Sequence, residues 1–157
     1  MNIPRNIKMV ISDFDGIFTD NSVIISADKS ISRKVSFKDI MGVSLLVKNG
    51  YKVGFISGEK NPVIEMIAEK FNIKEIFMDV RTKIEVLKDI LERNNLTPQD
   101  VIYVGDDIND MECLEYVTTK ITVPNANKKI KNIKGIQITS SCGGDGAFRE
   151  IVDEIIC

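Results

Sequence analysis

The sequence predicts an α/β fold, a Rossmann-like core whose parallel sheet carries helices on both faces. Short apolar runs alternate with stretches of helical periodicity along most of the chain, a pattern typical of parallel sheets with right-handed crossovers. Polar residues follow three of the apolar runs, at the strand ends where such sheets bind ligands. The 157 residues suit one domain, 1–157, and contain no linker, repeat or low-complexity segment.

The first half of the chain predicts two core strands, a hairpin and two helices. Residues 8–12 are apolar and stop at aspartates, and the runs on either side of 27–29 favour a β-hairpin. Helical spacing of apolar residues extends over 39–49. A second core strand follows at 52–57, and Pro62 suits the first position of the next helix.

The second half continues the alternation of strands and helices. Its predicted elements are a strand at 75–78, a helix at 82–94 with Thr82 as a possible N-cap, a core strand at 101–105, a helix through Met111 and Leu114, short strands beginning at 121 and 136, and a helix at 146–156.

Composition and charge exclude several classes of function. The net charge is −2, and no basic block indicates a nucleic acid or an anionic membrane as a partner. No apolar run is long enough to span a membrane, and the N-terminus lacks a signal-peptide core, so we expect a cytoplasmic protein. The sequence has no histidine, which excludes a serine–histidine triad and a histidine metal site. The three cysteines match no zinc spacing and are expected as reduced thiols.

Carboxylates and a hydroxyl follow the three core strands. Asp13 and Asp15 come after the first, Ser57 ends the second, and Asp106 and Asp107 come after the third. Aspartate and serine also favour turns, so each residue alone has a structural explanation. Because the carboxyl ends of parallel strands meet at one edge of the sheet, their joint occurrence predicts a binding or catalytic site there.

Four segments, in order, resemble the four motifs of the haloacid dehalogenase (HAD) superfamily of phosphatases. They are DFDGIFTD (13–20), FISGEK (55–60), the lysine of RTK (81–83) and GDDIND (105–110). The resemblance extends over nearly the whole chain. It implies that Asp13 is a nucleophile forming an aspartyl-phosphate. It also implies that Asp15 protonates the leaving oxygen and then activates water, and that Ser57 and Lys83 bind the transferring phosphoryl group.

The resemblance further implies a Mg²⁺ cofactor. A carboxylate approaching a phosphate meets repulsion on the order of 4 kcal/mol per charge pair at about 4 Å, and Mg²⁺ favours a few carboxylates together with phosphate oxygens and water. The implied ligands are Asp13, Asp106 and the backbone carbonyl of Asp15. Asp110 would position Lys83. Two further supporting residues are expected, namely Gly16, for a tight turn beside the phosphate, and Asp107.

The implied branch of the superfamily lacks a cap domain. The chain between Asp20 and Phe55 holds only the hairpin and one helix, and no cap fits after Ser57 either. In one such branch, tetramerisation closes the open site. Its members are the 3-deoxy-D-manno-octulosonate (KDO) 8-phosphate phosphatases and relatives acting on nonulosonate 9-phosphates, and they end in a GG-x-GA-x-RE signature. Here that signature is GGDGAFRE, residues 143–150.

Two residues favour a sugar acid with nine carbons. Glu59 and Lys70 resemble a pattern of the nonulosonate 9-phosphate (KDN or N-acetylneuraminate 9-phosphate) phosphatases, although solvated charges at helix ends also explain them. The KDO 8-phosphate enzymes are the alternative. Many relatives have an arginine where this chain has Ile67, and D-G-x-G where it has DIMG (39–42). If that arginine binds the sugar carboxylate, its replacement is expected from a neighbouring subunit, the candidates being Arg33, Lys38 and Arg149.

Two other classes of function compete with a phosphatase. Related domains fused to sialic-acid cytidylyltransferases act mainly as oligomerisation modules, but the intact set of motif residues argues against a purely structural role. Phosphoacceptor receiver domains also use an aspartate, magnesium and a lysine. In receiver domains the acidic pair lies near the start of the chain and the acceptor aspartate on a later strand. That arrangement does not explain an aspartate at position 15, two residues after Asp13.

Overall fold

The computed structural model describes residues 1–157 and contains a six-stranded sheet in which all strands are parallel. Its strands are β1 (Met9–Ser12), β4 (Lys52–Ile56), β5 (Glu75–Phe77), β6 (Val101–Val104), β7 (Thr119–Thr122) and β8 (Gln137–Ile138), and the separate hairpin is β2 (Ile24–Ile25) with β3 (Ile31–Ser32). The helices are α1 (Phe37–Lys48), α2 (Pro62–Phe71), α3 (Lys83–Arg93), α4 (Met111–Tyr116), α5 (Lys128–Lys131) and α6 (Ala147–Ile156).

The strand order is β5-β4-β1-β6-β7-β8. The chain therefore builds outward from β1 to one side through β4 and β5, and then to the other side from β6 onward. Between β1 and β6 the direction of winding reverses, and such a reversal opens a crevice at the carboxyl ends of the strands. The loops after β1, β4 and β6 meet there.

Apolar residues alternate across the sheet and make a core on each face. Val10 of β1 packs into the cluster formed with α1, α2 and α6, whereas Met9 and Ile11 belong to the cluster formed with α3 and α4. Successive strand residues point to opposite faces, so a strand covered on both sides is apolar throughout. All four residues of β1 are buried, which makes it the rigid centre from which the following loop starts.

Two residues of α1 explain its close packing on α6. The Asp39 carboxylate accepts hydrogen bonds from the backbone N–H groups of Gly146 (3.2 Å) and Arg149 (3.0 Å), and so caps the start of α6 from a neighbouring helix. A Cβ added at Gly42 would lie 3.3 Å from the Cα of Arg149. The aspartate and the second glycine of the D-G-x-G pattern, which DIMG retains, therefore have structural roles.

The predicted α/β architecture is confirmed, with each predicted element present and its ends shifted by at most a few residues. The hairpin follows β1 as expected, and no cap domain interrupts the chain. Thr82 is the N-cap residue of α3 as predicted, but its side chain makes no capping hydrogen bond. The first helical residue, Lys83, instead forms ion pairs within the site. The short α5 and a 3-10 turn at Ile108–Asp110 were not predicted. None of the helices combines the length and apolar character needed to cross a bilayer.

Candidate active site

The residues that follow β1, β4 and β6 line one cleft of about 380 Å³ at the carboxyl edge of the sheet. Asp13, Ser57 and Asp106 are brought there from three separate loops, as the sequence predicts. The cleft is markedly acidic. Its lining residues are Asp13, Asp15, Asn21, Ser57, Gly58, Glu59, Val80, Arg81, Asp106, Asp107 and Asn109.

Lys83 lies beneath the cleft, fully buried between two carboxylates. Its Nζ is 3.0 Å from Oδ1 of Asp13 and 2.8 Å from Oδ1 of Asp110. Burial lowers the pKa of Lys83, but the charges of Asp110 and Asp13 outweigh it, so the pKa lies above its ordinary value. The lysine is therefore a fixed positive charge beside Asp13.

Asp110 is saturated with hydrogen-bond donors. Besides Lys83, its carboxylate accepts from the hydroxyl of Tyr103 (2.8 Å) and from the backbone N–H groups of Asp106 (3.1 Å) and Asp107 (3.3 Å). A carboxylate held by this many donors has little capacity left for a metal ion. Its geometry suits a residue that orients the lysine and the loop after β6.

Three buried carboxylates, Asp13, Asp106 and Asp110, have oxygens within 4.8 Å of one another. Burial, with the neighbouring charge of Asp110, raises the pKa of Asp13 well above its ordinary value and the pKa of Asp106 to about 6. Because Asp110 already accepts four hydrogen bonds, whereas Asp13 pairs with Lys83 through Oδ1, the residues suited to hold a cation are Asp13 and Asp106. Hard oxygen donors in this number fit Mg²⁺, whose charge would offset the excess of negative charge.

Asp15 is not part of that cluster, in line with a role for its backbone carbonyl alone at the metal. Its Oδ1 accepts hydrogen bonds from Oγ1 of Thr19 (3.2 Å) and from Nε of Arg33 (3.0 Å). Arg33 follows the hairpin, and its side chain is only 10% exposed. The hypothesis that Arg33 reaches a neighbouring subunit's site does not match this arrangement, because the side chain is paired within its own chain.

The loop after β1 is packed too tightly for larger residues at two positions. Gly16 has a φ of +89°, and a Cβ there would lie 2.0 Å from Oδ2 of Asp106. A Cβ on Gly143 would lie 1.8 Å from the carbonyl oxygen of Gly16, and Gly144 donates its N–H to the carbonyl of Ile17 (2.9 Å). The two glycines of GGDGAFRE thus brace the loop that carries Asp13 and Asp15.

Other predicted residues are divided between the cleft and its surroundings. Ser57 and Glu59 line the cleft, with the Ser57 hydroxyl donating to the Glu59 carbonyl (2.9 Å). Asp107 also lines it. Lys70 and Arg149 do not: the ammonium of Lys70 lies over the ring of Phe71, and Arg149 Nε pairs with Asp153 (2.7 Å). Both lie on helix surfaces outside the cleft of their own chain. Their part in specificity, which for Arg149 was expected from a neighbouring subunit, stays a prediction.

Sequence reasoning missed several polar residues of the cleft. Asn21 donates from Nδ2 to Oδ2 of Asp106 (2.7 Å), so an amide from the loop after β1 orients a predicted metal ligand. Asn109 and Arg81 also line the cleft. Arg81 stands two residues before Lys83, within the quoted RTK motif, and that proximity was the available signal.

Comparison with known families decides the class. Residues 54–151 match the family model described as haloacid dehalogenase-like hydrolase. The chain belongs to this family. Across 97% of its length it is 29% identical to the 3-deoxy-D-manno-octulosonate 8-phosphate phosphatase KdsC of Haemophilus influenzae, of which it covers 84%.

Solved structures of HAD hydrolases have the same fold. A Streptomyces avermitilis protein described as a HAD family hydrolase is 33% identical, with a TM-score of 0.91 over 99% of this chain and 89% of that one. The cobalt-bound H. influenzae octulosonate phosphatase gives 0.89 at 29% identity, over 97% of this chain and 88% of that chain. These matches extend over nearly the full chain and put it in the capless, KdsC-like branch of HAD phosphatases.

Proposed function

We propose that this HAD phosphatase is a Mg²⁺-dependent enzyme that hydrolyses a sugar-acid phosphate monoester, with KDO 8-phosphate as its substrate. The observation that carries the chemistry is the pairing of a buried lysine with Asp13, beside Asp106 and at the mouth of a polar cleft. The names of the octulosonate 8-phosphate phosphatase relatives support the substrate.

In this proposal Asp13 attacks the phosphorus atom, and the bond from phosphorus to the sugar oxygen breaks. Asp15 gives its proton to that oxygen as the sugar leaves. Asp15 then takes a proton from a water molecule that attacks the aspartyl-phosphate, which releases phosphate and restores Asp13. Mg²⁺, held by Asp13, Asp106 and the Asp15 carbonyl, would supply charge neutralisation between nucleophile and phosphate.

Two further residues stabilise the transferring group. Lys83 is fixed 3.0 Å from Asp13, so it can neutralise phosphoryl charge without first being reorganised. The Ser57 hydroxyl lines the cleft and can turn from the Glu59 carbonyl to a phosphoryl oxygen. Both act where negative charge develops on the phosphoryl group.

A nonulosonate 9-phosphate is the second candidate substrate. Glu59, one of the two residues that favoured it, lines the cleft and could accept hydrogen bonds from sugar hydroxyls. Lys70, the other, lies outside the cleft of its own chain. None of the relatives reported above is named for a nonulosonate, so their names favour the octulosonate alternative.

We further propose a homotetramer that covers the open cleft. The hairpin exposes apolar side chains on Val23, Ile24, Ile25 and Ile31, and Phe37 at the start of α1 is 85% exposed. Exposed apolar residues concentrated in this way mark interaction surfaces. A second copy seated here would also lie close to Lys70, which lines an apolar hollow with Phe37 and Met41. Size-exclusion chromatography coupled to light scattering measures the oligomeric state, and a monomer in solution would contradict the proposed tetramer.

The test is phosphate release from KDO 8-phosphate, N-acetylneuraminate 9-phosphate, KDN 9-phosphate and simple hexose phosphates, with Mg²⁺ and with EDTA. We expect Mg²⁺-dependent turnover, greatest for KDO 8-phosphate and abolished by Asp13→Asn. Preference for a nine-carbon acid would keep the chemistry and replace the substrate. No turnover of any substrate by a folded, assembled protein would favour the oligomerisation module.

A further inference from the structure

Arg81 occupies a defined place on the rim of the cleft. It lies in the short segment between β5 and α3, and this segment is tied to the Ser57 loop by two backbone hydrogen bonds. Ser57 donates its N–H to the carbonyl of Phe77 (2.8 Å), and Val80 donates its N–H to the carbonyl of Ser57 (3.1 Å). The backbone that carries Arg81 is therefore held beside the candidate phosphoryl site, while its side chain remains exposed.

Arg81 is the one cation among the residues that line the cleft, and five of the others are carboxylates. Two cations next to the cleft are engaged, since Lys83 is paired with Asp13 and Asp110, and Arg33 with Asp15. Arg81 takes part in none of the ion pairs of the chain. Its guanidinium is thus available to a ligand.

A sugar-acid phosphate carries negative charge at both ends. At the phosphoryl end, Lys83 and a metal ion can compensate it. The carboxylate end has to enter a cleft that five carboxylates make electrostatically unfavourable, so it requires its own cation. Ile67 cannot supply one because it is apolar and buried in the core, and Lys70 and Arg149 lie outside the cleft of their own chain.

We propose that Arg81 binds the carboxylate of the sugar acid and thereby selects acidic sugars over neutral ones. A guanidinium presents two parallel N–H donors that match a carboxylate, which gives orientation as well as attraction. Glu59 and Asn109, also on the lining, leave hydroxyl-binding groups beside it. This inference rests on the proposed function and extends it by naming the residue that recognises the acid.

The test compares kinetic constants for substrates with and without a carboxylate. Arg81→Ala should raise KM for KDO 8-phosphate by about 10- to 100-fold, the range expected for a charge-assisted hydrogen-bonded pair, with kcat little changed. KM for glucose 6-phosphate and p-nitrophenyl phosphate, which have no carboxylate, should stay at the wild-type value. Arg81→Lys should recover part of the loss. Arg5→Ala, which removes an exposed arginine outside the cleft, is the matched control.

Each result has a definite meaning. An unchanged KM for KDO 8-phosphate in Arg81→Ala would overturn the inference and leave the proposed function intact. An equal rise for the substrates without a carboxylate would assign Arg81 to the phosphoryl group instead. A wild-type protein that hydrolyses p-nitrophenyl phosphate but no sugar-acid phosphate would overturn the proposed substrate class and this inference together.

Discussion

Lys83 and Asp110 form an ion pair of 2.8 Å that is fully buried under the cleft. Neither side chain is accessible to solvent, and Asp110 also accepts hydrogen bonds from Tyr103 and from two backbone N–H groups. Removal of one partner leaves a buried charge uncompensated, which is more costly than the pair itself is favourable. This cluster therefore couples the stability of the fold to the charge beside Asp13.

Asp110→Asn should lower the free energy of unfolding by about 3–5 kcal/mol, the range for a broken buried ion pair. It should also lower kcat, because Lys83 loses the carboxylate that orients it. Urea unfolding and steady-state kinetics measure the two effects. Tyr103→Phe is the matched control, since it removes one neutral donor to the same carboxylate and should cost only about 1 kcal/mol. Equal effects of the two variants would contradict a special role for the charge.

Gly143→Ala should impair catalysis although the residue lies outside the cleft lining. The added Cβ would lie 1.8 Å from the carbonyl oxygen of Gly16, so the loop of Asp13 and Asp15 must move. We expect a loss of about 1–3 kcal/mol of stability, as for overpacking elsewhere, together with reduced kcat. The comparison is Gly50→Ala, at φ +82° with open space around it and at the opposite edge of the sheet. Gly50→Ala should lose some stability to backbone strain and keep kcat. If its kcat falls as much as that of Gly143→Ala, the contact between Gly143 and Gly16 is not what holds the loop of Asp13 and Asp15 in place.

The affinity for Mg²⁺ should depend on pH. Burial and the charge of Asp110 raise the pKa of Asp106 to about 6, and the same two causes raise the pKa of Asp13. A carboxyl group must lose its proton to bind a metal ion. Affinity should therefore be constant well above pH 6 and should fall below it, by at least about tenfold per pH unit once a proton has to be displaced.

Calorimetric titration of the substrate-free protein with Mg²⁺ between pH 5 and 8 measures this dependence without interference from the substrate's own phosphate. Asp106→Asn should lose most of the metal binding at every pH. Affinity that does not change between pH 5 and 8 would contradict the raised pKa values of these carboxyl groups, and metal binding that survives in Asp106→Asn would show that Asp106 is not a ligand.

Arg33→Ala should slow reactions that need a proton donated to the leaving group more than reactions that do not. Arg33 holds Oδ1 of Asp15 at 3.0 Å, and we expect it to orient that carboxyl group toward the leaving oxygen. Turnover of a sugar phosphate should fall by at least about tenfold, since positioned acids contribute 10²–10⁴-fold. Turnover of p-nitrophenyl phosphate should fall less, because its leaving group departs without a proton and only the water-activating step then depends on Asp15. Lys34→Ala removes the exposed neighbouring cation and should affect neither; if Arg33→Ala slows both substrates equally, its role is structural.

The motif residues illustrate how far local sequence determines a site. Asp13, Ser57 and Asp106 were predicted because each ends a buried apolar strand, and parallel strands end at a common edge. The predicted contact between Asp110 and Lys83 is also present. Arg81 and Asn21 were missed because they lie in irregular segments, where no periodicity indicates which way a side chain points.

Lys70 and Arg149 are residues whose surroundings could not be predicted from the sequence. Lys70 was assigned to substrate specificity from a pattern of the nonulosonate enzymes, and Arg149 as a residue that a neighbouring subunit contributes. Both side chains lie on helix surfaces away from the cleft of their own chain. On an exposed helix, neither charge nor spacing determines whether a residue faces a site or solvent. That depends on how the helix is packed, and here on whether a second copy covers it.

The order of strands and helices and the residues at the carboxyl edge of the sheet could be predicted from the sequence, because apolar periodicity and turn-forming residues are local properties. The sequence did not predict the strand order of the sheet, the pairing of Arg33 with Asp15, the close contact of Gly143 with Gly16 or the place of Arg81 as the free cation of an acidic cleft. These relationships join residues distant in sequence or depend on the path of a loop, and such approaches are set by the packing of the whole core.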